Sequence, residues 1–197
     1  MCDMKIGVLA LQGAFIEHIA ILQKLKITAV AVRLPSELTE IQGIIIPGGE
    51  STSILKIMHD FGILQPLKKL IEDGLPVWGT CAGMICLAKN ISNNGLNTLS
   101  VMDISVKRNA FGRQIDSFEI DLSVPALGAE SYNGIFIRAP IITSVGSTVS
   151  VLASLSDGTP VAARQNRILA TAFHPELTDD PRFHQYFLKL VTDKKTR

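Results

Sequence analysis

Three short apolar runs, Lys5–Leu11, Ala29–Val32 and Gly43–Ile46, are set apart by segments of a different period, and this alternation constrains the fold more than any other feature of the chain. Between the first two, Phe15, Ile19, Leu22 and Leu25 recur at helical spacing, which predicts strand, helix, strand. The third run stops at Pro47-Gly48-Gly49, and Ser51 is placed to cap a helix through about Asp60 whose Ile54, Leu55, Ile57 and Met58 face inward. A further helix, about Leu64 to Asp73, closes at Gly74, and Pro76 leads into a fourth strand, Val77–Gly79, followed by helical Ala82–Lys89. Strands that alternate with helices predict an α/β fold with a mostly parallel central sheet covered on both faces.

After about Asn90 the pattern changes to short runs, Val101–Val106, Ile115–Leu122, Ile135–Arg138, Thr148–Leu155, Val161–Arg164 and Ile168–Phe173. These predict added antiparallel strands and the remainder of the sheet. A last amphipathic helix, about Pro181–Val191, precedes a basic tail at Lys194, Lys195 and Arg197, read as a solvated end. The 197 residues form one expected domain, 1–197, with no repeat or linker. A chain of this size buries roughly 70% of its unfolded surface, so it needs neither disulfides nor a structural metal to fold.

Composition removes several function classes. A formal net charge of +1, from 19 Lys and Arg against 18 Asp and Glu, offers no basic stripe for nucleic acid. Mean hydropathy is +0.30, yet no apolar run approaches the ~20 residues that span a bilayer, and the first run breaks at Gln12-Gly13, so neither membrane span nor signal peptide is expected. Three cysteines without a CxxC pair suit a reducing compartment, and the expected location is the cytoplasm.

Gly79-Thr80-Cys81-Ala82-Gly83 lies between a predicted buried strand and a predicted helix, in the form of a nucleophile elbow with cysteine in place of serine. Small flanking residues permit the sharp turn, and a helix N-terminus favours a thiolate. A lone cysteine is ordinarily a small buried hydrophobe; the two glycines tip Cys81 towards a nucleophile, whereas Cys2 and Cys86 lack them and are read as incidental or structural. A cysteine nucleophile needs a base. Of four histidines, His18 beside Glu17, His59 near Asp60 and His184 in the last helix read as ordinary helix-surface or half-buried positions. His174 ends an apolar strand and is followed by Glu176, and residues two apart in an extended segment point the same way, so a carboxylate can orient the imidazole. His-x-Glu also occurs in zinc deaminases, but these need a closely spaced cysteine pair after it; Cys81 and Cys86 precede it, so no metal is expected. Pro47-Gly48-Gly49-Glu50-Ser51 ends another strand, where glycines let backbone N–H groups turn towards an oxyanion; it lacks the lysine of a phosphate loop.

Together these blocks resemble class I glutamine amidotransferases, and most closely the branch that serves pyridoxal 5′-phosphate synthase. Gly79–Gly83 and Phe173-His174-Pro175-Glu176 are general to the class. Gly7–Gly13, Pro47–Thr52, Arg108–Gln114, Asp116-Ser117-Phe118, Ile137–Pro140 and His174–Thr178 resemble the narrower branch, with Ala110 where the branch often has serine. The resemblance implies a flavodoxin-like fold and hydrolysis of L-glutamine by a Cys81-His174-Glu176 triad, with Gly49 and Ala82 N–H groups holding the oxyanion and no cofactor. It implies that Gly49, Glu50, Ser51, Arg108, Ile137 and Arg138 surround the glutamine. It further implies a hetero-oligomer with a barrel-shaped synthase subunit that receives the ammonia, and a switch at Gln12-Gly13 that completes the oxyanion hole on docking. Gly13→Val is then expected to lower stimulated activity with the fold intact. A glutaminase of the imidazole glycerol phosphate branch, a non-catalytic scaffold and a cysteine hydrolase on the same sheet are the alternatives.

Overall fold

The computed structural model describes residues 4–92, 96–108 and 117–193. Cys2, Asn109–Gln114, Asp116 and the basic tail lie outside the described residues. The first half alternates as expected: β1 (Lys5–Leu9), α1 (Phe15–Lys24), β2 (Thr28–Val32), β3 (Gly43–Ile46), α2 (Ser51–Asp60), α3 (Leu64–Glu72), β4 (Val77–Thr80) and α4 (Ala82–Leu87). The second half is strand-rich: β5 (Ala88–Ile91), β6 (Met102–Lys107), β7 (Ser117–Leu122), β8 (Tyr132–Ile137), β9 (Ile141–Val145), β10 (Ser150–Ser154), β11 (Pro160–Gln165) and β12 (Ile168–Thr171), closed by α5 (Arg182–Thr192).

The central sheet has seven strands in the order β10-β11-β12-β4-β3-β1-β2. The stretch from β2 to β12 is parallel throughout, in the flavodoxin-like order, while β10 and β11 add antiparallel partners at one edge. Every residue of β3 and β4 is buried, which is why these strands read as unbroken apolar runs rather than alternating ones. Successive residues of β4 serve opposite faces. Trp78 packs against Phe183 and Phe187 of α5 and against His18 of α1. Gly79 faces α4, where a Cβ would come within 2.5 Å of the Gly83 backbone; a Cβ on Gly83 would overlap the Ile46 carbonyl oxygen. The two glycines that bracket Cys81 therefore let α4 lie directly on the sheet. No helix among the described residues is long and apolar enough to cross a membrane.

Smaller sheets, β5-β6-β9 and the β7-β8 hairpin, flank the main one. The hairpin is hooked to the end of β12 by the His174 N–H, which donates to the Ile135 carbonyl at 2.9 Å. Several expected bounds shift. The first strand stops at Leu9 and the strand ending near Phe173 stops at Thr171. The helix expected over Ala82–Lys89 ends at Leu87 and gives way to β5, because the chain turns to pair with β6. Glu50, not Ser51, caps α2, its carboxylate accepting from the Thr52 N–H, while Ser51 is inside the helix and buried.

Candidate active site

The carboxyl ends of β1, β3, β4 and β12 meet at one edge of the sheet, the side on which open α/β sheets bind ligands. A cleft of about 220 Å³ opens there. That is below the roughly 300–1,000 Å³ of drug-sized pockets and suits a ligand of amino-acid size. It gathers Gln12, Gly49, Glu50, Ser51, Cys81, Ala82, Arg108, Ile137, Arg138 and His174, together with Ile85 and Pro140, which were not among the expected site residues.

Cys81 sits at the tip of the β4–α4 turn with φ 48° and ψ −104°, a conformation a non-glycine residue adopts only when its surroundings enforce it. Its N–H donates to the Thr171 carbonyl at 2.8 Å, tying the turn to β12, and its Sγ lies 3.8 Å from the Ile137 carbonyl oxygen. His174 and Cys81 are adjacent across Gly48: a Cβ added there would meet the His174 ring and come 3.4 Å from the Cys81 Cβ. His174 Nδ1 lies 2.7 Å from Glu176 Oε1. The two residues are not in an extended segment as expected; Pro175–Leu177 form a short 3₁₀ turn that brings the carboxylate back beneath the ring. Burial disfavours the imidazolium, but the neighbouring Cys81 and Glu176 outweigh it and raise the His174 pKa from 6.5 to about 10. Burial likewise works against an ionised Glu176, yet His18 and His174 hold it well below the usual carboxylate range. Cys86 is fully buried, which pushes its thiol up to about 12 and keeps it protonated, in line with a structural role.

Around the thiol, Ala82 heads α4, so its N–H belongs to the group of helix-start donors that no intrahelical carbonyl satisfies. The Gly48 carbonyl accepts from the Ala14 N–H at 3.0 Å, which holds the Gly48–Gly49 peptide in one orientation. Gln12 Oε1 accepts from the Glu50 N–H at 2.7 Å and closes over Gly49. Gly13 has φ 100°, and a Cβ there would overlap the Gly48 carbonyl oxygen. The expectation that Gly13→Val leaves the fold intact is therefore corrected: the side chain would displace the very loop it was meant to probe. Arg108 donates to Glu50 Oε1 at 2.8 Å, and Arg138 is an exposed non-glycine residue with φ 43° at the rim. Ser51 Oγ is buried with no hydrogen-bond partner among the described residues.

The residues from 8 to 193 match the model of the SNO glutamine amidotransferase family. The chain belongs to this family. A relative from Dehalococcoides mccartyi, "Pyridoxal 5'-phosphate synthase subunit PdxT", is 58% identical over 194 residues, covering 98% of this chain and all of its own. The protein of the same name from Herpetosiphon aurantiacus is 56% identical over 95% of this chain and all of its own. A crystal structure of a glutamine amidotransferase superposes with TM-score 0.89 at 49% identity, covering 94% of this chain and 98% of that one. The structure of PurLQS from Thermotoga maritima, with TM-score 0.73 at 14% identity over 96% of this chain and 99% of that one, shares the fold.

Within this SNO-family chain two neighbours of the site depart from expectation. His18 and His184, expected at helix-surface or half-buried positions, are both fully buried. His18 Nε2 reaches to 3.3 Å from Glu176 Oε2, and its Nδ1 lies 2.9 Å from His184 Nε2. His59 is exposed beside Asp60, as expected. The apolar period of α1, which places His18 on the same face as the buried Ile21 and Leu22, is the signal that could have found the first; the period of α5 carries His184 with Phe183 and Phe187 in the same way. Among the described residues no group of three His, Cys, Asp or Glu is arranged to hold a metal ion.

Proposed function

We propose that Cys81, His174 and Glu176 hydrolyse the side-chain amide of L-glutamine, and that the ammonia passes to a partner that builds pyridoxal 5′-phosphate. The chain is the glutaminase subunit of that synthase, a component of vitamin B6 biosynthesis. The observation that carries the catalytic reading is the 2.7 Å contact between His174 Nδ1 and Glu176, which leaves the other ring nitrogen for the adjacent Cys81. Cys81, as thiolate beside the His174 imidazolium, attacks the amide carbon; the N–H groups of Gly49 and Ala82 receive the charge that develops on oxygen. His174 gives its proton to the departing amine, releasing ammonia and leaving a thioester on Cys81. A water molecule, deprotonated by His174, attacks the thioester and frees glutamate. Glutamine and water in, glutamate and ammonia out, the enzyme returns to its starting state.

Glutamine is a zwitterion at its α-carbon, and the cleft offers both complements: guanidinium groups at Arg108 and Arg138 and a carboxylate at Glu50. Ser51 Oγ, buried and otherwise unsatisfied, is a hydrogen-bonding group for the substrate. Ile137 supplies wall. Ammonia protonated in water loses its nucleophilicity, which calls for direct transfer to a docked, barrel-shaped synthase subunit in a hetero-oligomer, with the Gln12-Gly13 segment as the coupling element. The cytoplasm is the compartment that keeps the Cys81 thiol free.

The test is glutamate release from glutamine by the purified chain, with and without the synthase subunit. Stimulation by that subunit is expected, and Cys81→Ala is expected to lower the stimulated rate by at least ~10³-fold. A Cys81→Ala protein that retains the rate would rule out the thiol as nucleophile.

A further inference from the structure

Two fully buried imidazoles, His18 of α1 and His184 of α5, take no part in the reaction described above, yet they continue its line of polar groups into the core. Glu176 uses Oε1 for His174; its Oε2 makes no aligned hydrogen bond among the described residues and is faced by His18 Nε2 at 3.3 Å. A carboxylate only accepts, so the His18 nitrogen facing it must carry the hydrogen, and that hydrogen is shared with Thr80 Oγ1 at 3.4 Å. On the far side His18 Nδ1 meets His184 Nε2 at 2.9 Å. Burial pushes the His184 pKa down to about 3, so its ring carries one hydrogen. His184 Nδ1 has no hydrogen-bond partner among the described residues. A hydrogen on Nδ1 would be an orphaned buried donor, the costlier kind of unsatisfied group, so it belongs on Nε2, donated to His18. This donation leaves the hydrogen of His18 on Nε2, the nitrogen that faces Glu176. Trp78 stands edge-on to both imidazoles, at ring separations of 5.5 Å and 4.9 Å, and limits their rotation.

We propose that His18 is a positioning residue of the glutaminase site: it holds the second oxygen of Glu176 so that the first stays on His174, and His184 fixes the tautomer in which it can do so. The inference rests on the roles assigned to Cys81, His174 and Glu176. The groups that bear on Glu176 are then His174 from its own turn, His18 from α1 and, one step removed, His184 from α5; Cys81, at the head of α4, is the reporter.

The experiment compares His18→Phe and His18→Gln in the complex with the synthase subunit. Steady-state glutaminase kinetics are measured together with the pH dependence of iodoacetamide alkylation, followed at the Cys81 peptide by mass. His18→Phe fills the space without the donor and is expected to lower kcat about 10- to 100-fold through a misplaced Glu176, with KM for glutamine unchanged. The alkylation midpoint should rise, because a poorly held His174 stabilises the thiolate less. His18→Gln, which keeps an N–H near the Nε2 position, should recover most of kcat and the wild-type midpoint. A folded His18→Phe protein with wild-type kcat and midpoint overturns the proposal. So does a loss shared equally by both variants with an unmoved midpoint, which marks packing alone. If both His18 variants fail to fold, His184→Met decides: a lower kcat with a raised midpoint supports the chain of imidazoles, and unchanged values overturn it. A wild-type complex that releases no glutamate would defeat the functional reading instead, and the alkylation midpoints would still decide the role of His18.

Discussion

At the scale of single residues, the site depends on side chains that are missing as much as on those present. The φ of 48° at Cys81 costs about 1–3 kcal/mol and is imposed by β4 on one side and α4 on the other. Gly79 and Gly83 let those elements close on each other, and Gly48 does the same for the His174 ring. Two alanine substitutions should therefore separate stability from chemistry. Gly83→Ala, whose Cβ overlaps the Ile46 carbonyl, is expected to destabilise the protein by about 1–3 kcal/mol or more, read as a lower urea midpoint. Gly48→Ala, whose Cβ would overlap the His174 ring and lies 3.4 Å from the Cys81 Cβ, should displace that ring and lower kcat far more than it lowers the urea midpoint. The glycines bracketing Cys81 were legible in the sequence because a strand-to-helix turn is a local event. The burial of His18 is masked because Glu17 beside it reads as a solvated face, although the apolar period of α1 sets His18 on the inward face with Ile21 and Leu22.

At the scale of elements, each end of the sheet has its own task. The carboxyl ends of the parallel strands carry the cleft, and the opposite ends carry Arg167, which precedes β12 and donates to the Leu190 and Val191 carbonyls at the end of α5 and to Gly74 after α3. The Leu190 and Val191 carbonyls lie in the last turn of α5, where intrahelical donors run out, and the Gly74 carbonyl lies just past the end of α3. Arg167→Met keeps the aliphatic stem and removes the donors; it is expected to lower stability by about 1–2 kcal/mol with kcat unchanged, checked by thermal unfolding and glutamate release. The inner parallel strands matched their sequence patterns because burial on both faces leaves β3, β4 and β12 without a charged residue. The bounds that moved did so where pairing overrode propensity. Lys89, Asn90 and Ile91 join β5 although Ala82–Lys89 has a helical period, since β6 offers a ladder that a helix would forgo. His174 and Glu176 meet through a 3₁₀ turn, because Pro175 begins a turn rather than prolonging the strand.

At the scale of the whole molecule, the buried ionisable groups predict how stability varies with pH. His184 is neutral in the fold, its pKa lowered from 6.5 to about 3, so the unfolded chain binds a proton more readily. Its contribution is present above pH 6.5 and is lost as the pH falls towards 3, with a slope of at most about 1.4 kcal/mol per pH unit. Glu176, depressed below its ordinary 4.5, adds stability present above that value and lost as pH falls through its lower folded pKa. His174, raised from 6.5 to about 10, acts oppositely: its contribution is complete below 6.5 and is lost as pH rises through about 10. Urea unfolding between these limits should show stability declining on the acid side below about pH 6.5, and His184→Met should flatten that decline. An acid limb of the same slope in His184→Met would mean that another group takes up the proton. The amino-acid sequence by itself determined the α/β alternation, the parallel sheet and the cysteine elbow, because strand burial, helical period and a glycine-flanked turn are all properties of neighbours along the chain. Only the tertiary structure decided that Arg108 meets Glu50, and that His18 and His184, 166 residues apart, touch behind Glu176. Such distances are set by how α1 and α5 pack on one face of the sheet, and no local pattern of residues encodes them.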